Sequence, residues 1–344
     1  MSVVNNIMPV FALIAFATLL GFALEAVKME THAKRSLARR PTTCRSYWRA
    51  APPADNCKGR ATTMSIGLMT PERYRAILSE YDAILAHACA MSDRLVGRTV
   101  VERHLSYAET IFTKLLCHAI SLRKLSPTPE RSSPPELWDI GAACAIARTL
   151  IEAFDALAYI SLQTILPPER ELRILVWELH DQEHRLHMLE NIGAAGPGVE
   201  EIRTSAKTLH GMVTTHAFYT DLSNDMKGKI AAGKAPAYFR SQKDRNAASG
   251  INHDYYISVT TFLSQYVHTL PFALSQLTLT HAGDSGALQV VAMPLQYSML
   301  FIAKTIVGIG SLWPHAQVQI SADLLTILDR WLVLAEQGVK GVGR

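Results

Sequence analysis

"LWDIGAACAIARTLIEAFDALAYISLQTIL", Leu137 to Leu166, is the stretch that decides the fold. From Ile140 to Ile165 its only charged residues are Arg148, Glu152 and Asp155, and at 100° per residue apolar side chains surround it on every side. A helix without a polar face belongs among other helices. Arg148, Glu152, Asp155 and Tyr159 lie one turn apart in succession and so share one stripe. Charge on a buried helix is costly unless each group is paired. The stripe therefore reads either as an internal Arg148–Glu152 pair that fixes helix register or as the wall of a polar cleft.

Outward from this stretch the chain repeats helix signals and offers no convincing strand and no repeat. Thr70-Pro71-Glu72 is an N-cap with proline at the first helical position, opening a helix to about Leu95. A second helix spans about Thr99 to Leu125, and "SPTPERSSPP" is a linker. Ser133-Pro134-Pro135-Glu136 has capping-box spacing and opens the central helix. Pro167-Pro168-Glu169 starts the next, through about Asn191, where "GAAGPG" ends it. Helices follow near Val199–His216, Phe218–Ala231, Asp254–Thr280, Leu288–Leu312 and Ser321–Gln337. Leu295 to Trp313 is apolar enough for a membrane span, but Lys304 at its middle would cost ~3 kcal/mol there. A buried core helix is the better reading. The fold class is all-α, a bundle of long helices around one core.

The N-terminal part differs from this body. Ile7 to Leu24 runs 18 residues without a charge, the lower limit for crossing a hydrocarbon core of ~30 Å. Between Lys28 and Arg60 nine Lys/Arg face only Glu30 and Asp55, a net of +7, whereas residues 1–27 carry only Glu25. Positives after the apolar run place the N-terminus outside and the body in the cytoplasm, as a signal anchor. The alternatives are a docked soluble helix, or a start at Met64 and a soluble cytoplasmic protein. The expected organisation is a hydrophobic helix at 1–27, a basic linker at 28–63 and a helical domain at 64–344. Because the whole chain carries +4, the body from Met64 on carries −2 and lacks the basic footprint of a nucleic-acid binder.

Cysteine and histidine spacing adds little chemistry. Cys44 and Cys57 lie in the basic segment, while Cys89, Cys117 and Cys144 fall inside helical patterns without a CxxC pair, which suits packing in a reducing compartment. His180, Glu183 and His184 form HxxEH, the inverted zinc-protease motif, with His187 on the same strip. That chemistry needs a glutamate some way downstream, and no Glu occurs between Glu201 and Glu336. Neither a metal nor a cofactor is expected. Arg245-Asn246 with His253 resembles an arginine–histidine ribonuclease motif at too long a spacing, and Gly250 interrupts it, so this segment reads as a loop.

"YYISVTTFLSQYVHTLP", Tyr255 to Pro271, carries the second polar strip. Tyr255, Val259, Phe262, Leu263, Tyr266 and Leu270 line one side, and Asp254, Thr261, Ser264 and His268 the other. The polar side is short-chained, like a cleft wall or a close helix contact. Together with "RTLIEAFDALAYI" and "VWELHDQEHRLHMLENIG", this segment resembles a bacterial all-helical family of unknown function, over roughly Leu137 to Pro271. The resemblance implies a fold and no activity. More remotely, "LSQYVH" is similar to the motif of the HEPN superfamily, helical nucleases and nucleotide-binding modules that commonly work as dimers. By that resemblance His268 matches the catalytic histidine and Ser264 the polar residue four before it. Leu263 stands where the arginine belongs, which removes the cation for phosphate unless Arg148 supplies it.

Two functions remain open at this point. One is a non-catalytic interaction or regulatory module, a homodimer candidate, with a buried Arg/Glu/Asp network. The other is a HEPN-like nucleotide- or RNA-binding module whose candidate catalytic residues are His268, Arg148, Glu152 and Ser264. The full-length chain is expected to fractionate with membranes, while a chain starting at Met64 is soluble and helical by circular dichroism. Recovery of the full-length protein wholly in the soluble fraction would refute the anchor.

Overall fold

The computed structural model describes residues 69–97, 102–129, 138–279 and 284–339; the readings made for 1–63 and for Ser133–Glu136 lie outside these residues. The described residues form eleven α-helices and no strand, an all-α fold. In chain order these are α1 (Pro71–Asp93), α2 (Arg103–Leu125), α3 (Ile140–Leu157), α4 (Pro167–Asn191), α5 (Pro197–Thr215) and α6 (Asn224–Ala231). They continue with α7 (Gln242–Ala248), α8 (His253–Val267), α9 (Pro271–Leu279), α10 (Ser285–Leu312) and α11 (Ala322–Gln337).

The caps explain most boundaries. The Thr70 hydroxyl accepts the Arg73 N–H at 3.2 Å ahead of Pro71, and Ser321 accepts the Leu324 N–H at 3.2 Å. The central helix starts later than the Ser133 signal suggests. Asp139 caps it by accepting the Ala142 N–H at 2.8 Å, with Trp138 and Asp139 outside the helix. Its far end turns into a π-helical segment, Ala158–Leu162, closed by Gln163 N–H to the Ala158 carbonyl at 3.0 Å.

The most enclosed helix is α10 rather than α3. Every position from Ala287 to Ala303 is buried except Gln289 and Gln296, and Lys304 escapes sideways to Glu336 at 2.9 Å. This is the one helix among the described residues long and apolar enough to cross a membrane, and its burial makes it a core helix. Around it pack α1, α2, α3 and α11, with α8 behind α3. A smaller apolar cluster joins Leu172, Leu175, Val176 and Leu179 of α4 to Val213, Leu222, Met226 and Ile230.

One helix expected over Asp254–Thr280 is in fact two, α8 and α9. Thr269 takes φ 52°, the Leu270 N–H reaches the Gln265 carbonyl at 3.0 Å, and the Thr269 N–H reaches Tyr266 at 3.4 Å. That is a Schellman stop, after which Pro271 opens the next helix. A β-branched residue is poorly suited to this left-handed turn. Thr269→Gly is therefore expected to stabilise the fold by up to about 1 kcal/mol, read as a raised denaturant midpoint with unchanged slope. A lowered midpoint would show that threonine contributes more through its side chain than it costs in backbone strain.

Candidate functional site

The stripe on α3 divides into two sites. Arg148 and Glu152 stand at its outer end, with side chains 30% and 53% exposed, so the expected burial of this pair does not hold. Arg148 Nε donates to Glu152 at 2.8 Å, and Nη1 donates to the Thr260 carbonyl at 2.9 Å and to Ser264 Oγ at 2.6 Å. Ser264 Oγ in turn donates to the same Thr260 carbonyl at 2.7 Å. The guanidinium thus clamps α3 to α8. Of the other residues on the polar strip, Thr261 and His268 are exposed. Arg148, Glu152 and Ser264 meet; the His268 side chain makes no hydrogen bond or ion pair among the described residues. His268 is the C-cap of α8, its N–H bonded to the Ser264 carbonyl at 3.0 Å.

The buried charge lies one turn further in. Asp155 accepts from Arg245 Nη2 at 2.8 Å and from Arg245 Nε at 3.2 Å, and both side chains are about nine-tenths enclosed. Gln242 Nε2 adds a contact to Asp155 at 3.3 Å, and the Arg245 guanidinium lies 4.0 Å from the centre of the Tyr238 ring. Burial, reinforced by Asp155, pushes the Tyr238 phenol up to about 12. The segment read as a loop is the short helix α7. Its signal was present in the sequence: Ser241 accepts the Asp244 N–H at 3.2 Å, a cap with an acidic residue three positions on. Asn246 is held by Gln242 at 2.8 Å and lies 3.1 Å from His253 Nδ1.

Two further arginines hold the end of the central helix. Arg170 Nη1 donates to the Ile160 and Ser161 carbonyls at 2.8 and 2.9 Å, and its Nη2 to Gln163 at 2.7 Å. Arg173 Nη1 donates to the Tyr159 carbonyl at 2.8 Å and to Gln163 Oε1 at 2.6 Å. Glu169 accepts from Arg173 at 2.9 Å and from Arg240 at 3.0 Å. Sequence reasoning missed these residues because arginines at the start of an amphipathic helix look like an ordinary solvated face.

The HxxEH strip serves a loop. His180 Nδ1 donates to the Ala235 carbonyl at 2.7 Å, and Glu183 accepts the Ala235 N–H at 2.7 Å. Burial raises the Glu183 pKa, opposed by that N–H and by His210 and His180. Among the described residues no group of three or more His, Cys, Asp or Glu is placed to hold a metal ion.

Compared with models of known families, with curated proteins and with solved structures, the chain matches none.

The two ends of the stripe should respond differently to deletion. Asp155→Ala leaves a buried guanidinium uncompensated and is expected to cost ~3–5 kcal/mol. Arg148→Ala, at a half-exposed clamp, is expected to cost about 1 kcal/mol. Urea unfolding of both variants checks this; equal losses would refute the division into an inner and an outer site.

Proposed function

We propose that the chain is a non-catalytic helical interaction or regulatory module in which Arg148, Glu152, Asp155 and Arg245 serve the architecture. The observation that carries this reading is the inward engagement of the candidate groups. Ser264 both donates to Thr260 and accepts from Arg148, and Asp155 is held by Arg245. The His268 side chain stands outside this network, and beside it Val267, Leu270 and Leu274 are 40%, 38% and 49% exposed. An apolar surround of this kind suits a protein partner better than a phosphodiester, and the partner proposed is a second copy of the chain. The body charge of −2 argues in the same direction. Membrane attachment through residues 7–24, with the body cytoplasmic, completes the proposal and rests on the sequence.

A second reading, the HEPN-like RNA- or nucleotide-binding module, is favoured by one contact. Arg148 lies 2.6 Å from Ser264, so the cation that Leu263 does not supply comes from the neighbouring helix, one turn from His268. The two readings separate in a single set of measurements. The parent is expected to leave single-stranded RNA intact and to sediment as a dimer, with Leu274→Glu monomeric and fully folded. RNA cleavage that disappears in a folded His268→Ala variant would establish the second reading, and a monomeric parent would remove the dimer from the first.

A further inference from the structure

Away from the Arg148 and Asp155 clusters, a groove of about 670 Å³ lies between α4 and α5 and is bordered by the turn after α6. That volume is in the range of small-ligand sites. Leu186, Ala231 and Pro236 contribute apolar lining. Seven basic side chains also line it; His180, His187 and Arg203 are engaged by Ala235, Asn191 and Glu190, which leaves four: His184 from α4, Lys207 and His210 from α5, and Lys234 from the turn. None of the four makes a side-chain hydrogen bond or ion pair with another described residue.

The carboxylates bordering the same groove are already engaged. Glu183 accepts the Ala235 N–H at 2.7 Å and burial favours its neutral form, while Glu190 is bound by Arg203 at 2.9 Å. What the groove leaves without a hydrogen bond or ion pair is two ammonium groups and two imidazoles, the His184 ring lying 4.1 Å from that of His180 and His210 favouring the charged form of Glu183. Ammonium and imidazole N–H groups are donors matched to a multiply charged oxyanion. A metal would need three converging ligands, and no such set exists among the described residues.

We propose that this groove binds a phosphate monoester with an apolar body, the phosphate held by Lys207, Lys234, His184 and His210. The site stands on observations separate from the α3–α8 clamp and does not depend on the interaction reading. Phenyl phosphate, inorganic phosphate and phenol titrated into the purified full-length chain by calorimetry provide the test. Phenyl phosphate is expected to bind saturably with one site per chain, inorganic phosphate more weakly, and phenol not at all. Lys207→Met with His210→Gln should weaken phenyl phosphate at least about tenfold while leaving the melting temperature unchanged. Lys234→Met, on the exposed turn, is the independent variant should that double change disturb the fold, and it too should weaken binding. No saturation by ~10 mM phenyl phosphate, binding of phenol as tight as that of its phosphate, or full affinity in folded variants would each overturn the assignment.

Discussion

The inner end of α3 lies within the protein, where the last carbonyls of a helix have neither an intrahelical partner nor bulk water. Arg170 and Arg173 meet that constraint by reaching back from α4 to Tyr159, Ile160, Ser161 and Gln163. Buried guanidinium groups must then be balanced, and Glu169 does so for Arg173. Asp155 repeats the arrangement one turn earlier with Arg245 from α7. The positions of α4 and α7 against the bundle thus follow from how one helix ends.

That constraint also explains what the sequence could and could not reveal. Helix existence was legible wherever a cap and a 3.6-residue pattern coincided, as at Thr70-Pro71 and Ser321. The central position of α3 was legible from its composition. The partners of its charges were not, because Arg148 and Asp155 stand alike on the stripe and only the approach of α7 at one end and α8 at the other distinguishes them. Two apolar patterns joined across a turn also read as one helix. Nothing periodic marks the stop at Thr269, and the signal was Pro271, four residues beyond the last helical residue Val267.

The candidate site was legible to the same depth. Arg148, Glu152 and Ser264 were singled out from spacing, and they do touch. His268 shares their strip by helical periodicity, yet its place at a helix end leaves it without a partner among them. Angular position around a helix says which side chains face the same direction, and the cap says where that direction stops being useful. The HxxEH strip shows the same limit. Its spacing suits zinc, but the main-chain groups of Ala235 occupy two of the three motif side chains.

Of the three apolar clusters among the described residues, the large one and the small one between α4 and α6 differ in a way that has a dynamic consequence. The large one is organised on α10, whereas the small one ties α4 to α5, α6 and the turn at Ala235. Structure that rests on few buried contacts opens at lower free energy than structure tied to the main core. Amide hydrogens of α5 and α6 therefore exchange with solvent by local opening, ahead of those in α10, whose exchange requires the whole bundle to unfold. The groove between α4 and α5 sits on the part of the molecule that breathes.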